Sequence, residues 1–153
     1  MGYLRVHTGR DIWDTEADAV VVTVNCIGIM GKGIAKDCKE RYPEVFWRYR
    51  DECAKRLWQP GQVRVYRADN GRFIILAATK SHWRYPSEEE WVRECVQRIA
   101  FLFDKRNYNF RSIALPALGC GNGGLDPRWF LDYMADNFGM EAYNDTHFEL
   151  YMA

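Results

Sequence analysis

An excess of charge of either sign is missing from this sequence: 21 Lys and Arg residues balance 21 Asp and Glu, for a formal net charge of +0 at pH 7. That balance excludes an extended nucleic-acid-tracking surface, which needs a basic excess to displace counterions from the phosphate backbone. It leaves room for a local site that accepts one modified nucleotide. Long apolar runs are also missing; none approaches the roughly 18 residues that cross a bilayer, so no membrane association is expected. Five cysteines, at 26, 38, 53, 95 and 120, form no C-x-x-C pair and, with only three histidines, no cluster of zinc spacing. Neither a structural metal nor a cofactor is expected. The odd cysteine count, with no signal peptide, predicts reduced thiols and a cytoplasmic protein. Repeats, low-complexity tracts and linkers are absent, and hydrophobic content is 48%. The chain therefore reads as a single domain, 1–153, large enough for a real core.

What the sequence concentrates is glycine after strands. Arg111–Leu115 reads as a strand that Pro116 ends, since proline has no ladder donor. Gly119, Gly121, Gly123 and Gly124 then strip side chains from the turn that follows. Bare backbone lets N–H groups approach an anion closely. Asp126-Pro127 reads as an N-cap with proline at N1 of a helix running to about Asn137 and stopped at Gly139. Strand, bare loop and helix N-terminus together suit a phosphate, although a plain tight turn uses the same residues.

The earlier chain repeats the theme. Tyr3–His7 is a first strand. Asp18–Asn25 (DAVVVTVN) is a continuous β-branched run, the pattern of a strand buried on both faces. Cys-Ile-Gly-Ile-Met-Gly-Lys-Gly follows, then helices over about Ile34–Arg41 and Pro43–Leu57. Gln62–Arg67 and Arg72–Ala78 form a hairpin across Asp69-Asn70-Gly71. Ser87-Glu-Glu-Glu90 has the form of a capping box opening a helix to about Lys105. His147–Met152 is the last strand. Strands alternating with helices predict a three-layer α/β/α domain with a mixed, mostly parallel sheet, and ligands in such sheets bind beyond the strands' carboxyl ends. The Asn25 loop, Thr79-Lys80 and the Gly119 loop all sit there.

Two nucleotide-binding patterns fail. A P-loop needs G-x-x-x-x-G-K-[ST], whereas here Gly28-x-x-Gly31-Lys32 precedes Gly33. Gly119-x-Gly121-x-x-Gly124 matches the dinucleotide expression literally, but it lies late in the chain, without a suitable acid about 20 residues on.

Two anion-suited loops on one sheet edge fit a diphosphate held between them. Gly9-Arg-Asp11-Ile12, Asp18–Asn25, Gly28-Ile-Met-Gly-Lys-Gly-Ile-Ala35 and Leu115-Pro-Ala-Leu-Gly-Cys-Gly-Asn-Gly-Gly-Leu125, in that order, resemble a macrodomain along essentially the whole chain. Thr79-Lys-Ser-His-Trp-Arg84 is similar to the branch containing the DNA ADP-ribosyl glycohydrolase antitoxins and the terminal ADP-ribose protein glycohydrolase of animals.

The resemblance implies an ADP-ribosyl hydrolase that removes mono-ADP-ribose, from thymidine in DNA in the first instance. A reader that binds ADP-ribose without cleavage, or a hydrolase of protein-linked ADP-ribose or ADP-ribose-1″-phosphate, are the alternatives. It implies ADP-ribose as ligand or product, ADP-ribosylated DNA as substrate and an ADP-ribosyltransferase toxin as partner. Asp11 would accept from the adenine amino group with Ile12 alongside, although an aspartate there also suits a turn cap. Tyr143 is a further candidate to cover adenine. Asn25 would bond the distal ribose and share in catalysis. Gly31, Lys32, Gly33 and Ile34 would form the first anion loop. Leu118, Gly119, Cys120, Gly121, Asn122 and Gly123 would form the second, with Thr79 beside it. Lys80 corresponds to the branch's catalytic lysine, either as a neutral amine attacking the anomeric carbon or as an ammonium stabilising charge. The protein-glutamate hydrolase carries an aspartate where this chain has Gly123, which favours the DNA substrate. Trp83 and Arg84 suit a base and a phosphate, or a core tryptophan with an exposed arginine.

Overall fold

The computed structural model describes residues 2–138 and 146–153. The strands among them are β1 (Tyr3–Thr8), β2 (Ala19–Val24), β3 (Val63–Arg67), β4 (Phe73–Ala78), β5 (Ile113–Pro116) and β6 (His147–Met152). The helices are α1 (Gly33–Arg41), α2 (Pro43–Ala54), α3 (Glu89–Phe101) and α4 (Pro127–Phe138), with a 3-10 turn at Ile12–Asp14. The sheet order is β1-β6-β5-β2-β4-β3. Every pairing is parallel except β3 with β4, the hairpin closed through Gly71.

β2 shows why its sequence is continuously apolar. Val20, Val22 and Val24 pack into one core with Ile74, Leu76 and residues of α1 and α2. Ala19 and Val21 pack into a second core with Ile75, Ala77 and residues of α3 and α4. Helices cover both faces, so the domain is a three-layer α/β/α sandwich with a mixed, mostly parallel sheet. Each fully buried valine contributes roughly 1.5–3 kcal/mol of transfer free energy. From β2 the chain passes through α1 and α2 to the edge strand β3, turns back into β4 beside β2, then crosses through α3 to β5 on the other side. The loops leaving β2, β4 and β5 thus meet at one rim, where the strand order reverses.

Several boundaries differ from the sequence reading, each for a tertiary reason. Ser87 does not cap α3: Glu88 holds the N-cap position with no side-chain bond. Instead, Ser87 N–H donates to the Gly123 carbonyl (2.9 Å), and its buried Oγ has no partner. The serine is claimed by the glycine loop, not by its own helix. α2 ends at Ala54, short of Leu57, because Arg56 turns left-handed at φ 57°. α3 gives way to turns after Phe101 rather than reaching Lys105. β5 starts at Ile113 because Arg111 is held by Asp18, its N–H donating to Oδ2 (2.7 Å). The expected stop at Gly139 and the candidate Tyr143 lie outside the described residues. Asp126 does cap α4, accepting from Arg128 N–H (2.9 Å). All five cysteines are free thiols, and no helix among the described residues is long and apolar enough to cross a membrane.

Candidate functional site

A cleft of about 760 Å³ opens at the rim beyond β2, β4 and β5, within the range of small-molecule sites. The structure brings Asn25, Gly31, Lys32, Gly33, Ile34, Thr79, Lys80, Gly119, Cys120, Gly121, Asn122 and Gly123 around it. Leu118 is not among the lining residues; its side chain is fully buried in the core beneath the second loop. Asp11 and Ile12 line a smaller hollow of about 280 Å³. Ile34 and Pro116 belong to both walls, so the two cavities adjoin. Asp11 also caps the 3-10 turn, Oδ1 accepting from Trp13 N–H (2.9 Å).

The first loop is built by Asn25. Its Oδ1 accepts from Ile27 N–H (3.0 Å), and its Nδ2 donates to the Ile29 carbonyl (2.9 Å). The Tyr49 hydroxyl reaches up from α2 to both the carbonyl and Oδ1 of Asn25, each at 2.8 Å. Tyr49 is completely buried, and nothing in the sequence marks it as a site residue. Asn25 therefore spends most of its bonding capacity folding the loop. Tyr49→Phe is expected to lower unfolding free energy by about 1–2 kcal/mol, since it orphans a buried acceptor. Thermal melting should register it as a fall of about 2–8 °C.

Two sets of unspent backbone donors face one another across the cleft. In α1 the first helical bond runs from Lys36 N–H to the Lys32 carbonyl (3.2 Å). That leaves the amides of Gly33, Ile34 and Ala35 without an acceptor among the described residues, at the positive end of the helix. In the second loop, Gly124 N–H donates to Gly121 and Leu125 N–H to Gly119, at 3.3 and 3.0 Å. The amides of Gly121, Asn122 and Gly123 have no acceptor among the described residues. A Cβ on Gly33 would lie 3.9 Å from Asn122 Nδ2, so the loops nearly touch.

Lys80 is fixed by the sheet. Past the strand ends the ladder continues, with Thr79 N–H donating to Val24 (3.1 Å) and Cys26 N–H to Ser81 (3.4 Å). The Cys26 thiol donates to the Lys80 carbonyl (3.3 Å), and Lys80 Nζ donates to the Trp83 carbonyl (3.3 Å). Burial, and then the nearby charge of Lys32, hold the Lys80 ammonium below the ordinary lysine pKa. Among the described residues the cleft cations are Lys32, Lys80 and Arg84, and no Asp or Glu lines it. Burial pushes the thiols of Cys26 and Cys120 up to about 11 each, helped by Cys53 and Asp126 respectively. Neither cysteine is a thiolate near pH 7, so neither thiol is an activated nucleophile.

Ser87 and Tyr49 were invisible in sequence because both act through residues far away in the chain. Ser87 sits directly beneath the second loop: a Cβ added to Gly123 would meet Ser87 Oγ and the Gly119 carbonyl oxygen, each at 2.3 Å. Any side chain at position 123 would therefore have to displace the loop.

Comparison with known proteins follows the same geometry. The chain is 40% identical over 119 residues to a DNA ADP-ribosyl glycohydrolase of Mycobacterium tuberculosis, covering 76% of this chain and 33% of that protein. It thus spans about a third of the length of that curated relative. Its fold superposes on the macrodomain of Mycobacterium tuberculosis DarG with a TM-score of 0.88 at 33% identity, covering 99% of this chain and 98% of the other. Thermosipho africanus DarTG, solved in complex with ADP-ribose, superposes with a TM-score of 0.82 at 25% identity, over 97% of this chain and 42% of that one. The Macro domain model matches residues 21–134, well over half of the sequence, and the chain belongs to the Macro domain family.

Proposed function

We propose that this domain is an ADP-ribosyl glycohydrolase that removes mono-ADP-ribose from thymidine in DNA, with Lys80 as its catalytic residue. One observation carries the reading. In a protein of net charge zero, one cleft gathers three cations and two rows of amides unspent among the described residues, is lined by no carboxylate among them, and ends at a partly desolvated amine. Opposed amide rows suit the two phosphates of a diphosphate. From there the molecule would extend both ways. Adenine would lie in the adjoining hollow, where Asp11 Oδ2, without a hydrogen-bond partner among the described residues, would accept from its amino group. The distal ribose would lie between Asn25 and Lys80.

The chemistry follows from the amine's state. Neutral Lys80 Nζ attacks the anomeric carbon, the bond from that carbon to the base breaks, and the base leaves with its electron pair and takes up a proton. Water then displaces the lysine from the adduct, releasing ADP-ribose and restoring the amine. The relative named DNA ADP-ribosyl glycohydrolase supports DNA as the substrate class. The fusion of transferase and glycohydrolase in a Thermosipho africanus relative supports an ADP-ribosyltransferase as partner.

A side-by-side assay tests the reading on ADP-ribosylated thymidine in an oligonucleotide, a glutamate-linked ADP-ribosyl peptide and ADP-ribose-1″-phosphate. Release from the oligonucleotide should exceed the other two by about ten-fold or more, a difference of about 1.4 kcal/mol in transition-state binding. Faster turnover of the peptide would transfer the substrate to protein. Tight binding of ADP-ribose with no release from any substrate would make the domain a reader.

A further inference from the structure

Beside the cleft lies a feature that the hydrolytic reaction leaves unused. The segment following Lys80 is His82-Trp83-Arg84-Tyr85-Pro86, three aromatic rings and a cation with no carboxylate. Trp83 is 47% exposed and Tyr85 59% exposed, although such rings normally bury most of their surface. The His82 ring lies between them, its centroid 5.5 Å from Trp83 and 5.3 Å from Tyr85. Arg84 rests its guanidinium 4.9 Å from the Trp83 ring centre. The conformation is held internally, with Arg84 N–H donating to His82 Nδ1 (3.1 Å). Trp83 and Arg84 also form part of the cleft wall, and the Trp83 carbonyl receives Lys80 Nζ. Exposed rings thus begin at the cleft wall, on the residue whose backbone holds the amine, and extend away from it.

We propose that this segment is a stacking platform for the nucleotides flanking the modified base in single-stranded DNA, with Arg84 meeting the phosphate between them. The proposal rests on the DNA-directed reading above and names the part of the substrate beyond ADP-ribose. Rings exposed at the mouth of a cationic cleft accept any base face, which is how proteins hold single strands without reading sequence. A duplex keeps its base faces stacked inside and offers the platform only its phosphates. The neutral whole-chain charge likewise argues against a long duplex footprint. Continuity with the amine matters as well. A base seated on Trp83 presses on the segment that holds Lys80 Nζ, so flanking nucleotides and the reacting bond are positioned together.

The test compares two substrates: ADP-ribosyl-thymidine as a lone nucleoside, and the same unit within a single-stranded oligonucleotide. Tyr85→Ala should leave kcat/KM for the nucleoside unchanged and lower it for the oligonucleotide about 5- to 100-fold, mostly through KM, the range expected for one lost base stack. Trp83→Ala should harm the oligonucleotide more than the nucleoside, and Trp83→Phe should restore most of the difference. Arg84→Gln should reduce the salt slope of oligonucleotide binding by about one phosphate contact. Parallel losses on both substrates would overturn the platform and leave a structural role in holding Lys80. Equal losses on an ADP-ribosyl peptide would overturn it in favour of a protein chain. A second measurement needs no turnover. Fluorescence anisotropy of an unmodified, labelled single-stranded oligonucleotide should show weaker binding to Tyr85→Ala than to wild type, and weaker competition by duplex of the same sequence. Equal affinities would reject the platform even if the hydrolase activity stands; absent hydrolysis with a clear anisotropy difference would reject the activity and keep the platform.

Discussion

Lys80→Ala is expected to abolish release of ADP-ribose, lowering kcat on the order of 10³-fold or more, the scale typical of losing a covalent nucleophile. Its affinity for ADP-ribose should change by less than about three-fold. The separation follows from geometry. The phosphates are to be gripped by amides of Gly33, Ile34, Ala35, Gly121, Asn122 and Gly123, none of which depends on the lysine side chain. Lys80→Arg keeps the positive charge but offers no free amine at neutral pH. If the amine attacks carbon, the arginine variant should be as inactive as alanine; retained turnover would assign an electrostatic role. The lysyl glycosylamine equilibrates with its ring-opened imine, which borohydride reduces to a stable secondary amine. Borohydride added during turnover should therefore trap an adduct on wild type and none on either variant.

The pH dependence carries the same logic with a definite sign. Burial and the neighbouring Lys32 charge both disfavour the ammonium, so the Lys80 pKa lies below the ordinary 10.5. If the neutral form is the one that reacts, as proposed, kcat/KM should rise with pH and level off at a break below that value. Lys32→Met removes the repelling charge and should move the break to higher pH. A bound diphosphate favours the ammonium, so the break in kcat, which reports the complex, should sit above that in kcat/KM. A rate that instead falls as pH rises through the break would assign the reaction to the ammonium form.

The second large effect separates two glycines in one loop. Gly121 lines the cleft, and a Cβ there meets no protein atom within 4 Å. The fold therefore has room for alanine, and Gly121→Ala should melt within about 2 °C of wild type, as surface changes usually do. Yet its methyl would stand where a phosphate must approach the loop amides. Isothermal titration should show ADP-ribose affinity weakened about ten-fold or more, roughly 1.4 kcal/mol. Gly123 is the opposite case. Its Cβ would lie 2.3 Å from both the Gly119 carbonyl oxygen and Ser87 Oγ, so the loop must shift. Overpacking of this kind costs about 1–3 kcal/mol, or about 2–12 °C in melting temperature. Gly123→Ala should lose stability and binding together. Gly123→Asp should do the same without acquiring activity on glutamate-linked ADP-ribose, because the carboxylate has no space in the loop. Undiminished ADP-ribose affinity in Gly121→Ala would remove the second loop from the anion site.

Much of the fold was readable along the chain because its signals are local. A strand buried on both faces must be largely apolar, and Ala19–Val24 is apolar at every position but Thr23. Asp126 before Pro127, and Asn70-Gly71 between two β-branched runs, describe a cap and a turn within a few residues. The two glycine loops are visible for the same reason, since backbone exposure is a property of consecutive positions. The catalytic candidate was legible only by resemblance, for a lysine after a strand is ordinarily just a surface residue.

What escaped the sequence depends on distances between residues far apart in it. Ser87 has the pattern of a cap, but the Gly123 carbonyl took its N–H, and a tertiary partner outweighed the local motif. Tyr49 reads as one more helical aromatic until α2 lays its hydroxyl against Asn25. Lys32, Lys80 and Arg84 are scattered cations in a neutral chain until β2 and β4 pair and place them around one cleft. Local periodicity and hydrogen-bonding preference are written into neighbouring residues, so strands, turns and bare loops were determined by the sequence itself. Desolvation and charge proximity are sums over residues that only folding brings together, and so the state of the amine and the shape of its surroundings were decided by the tertiary structure.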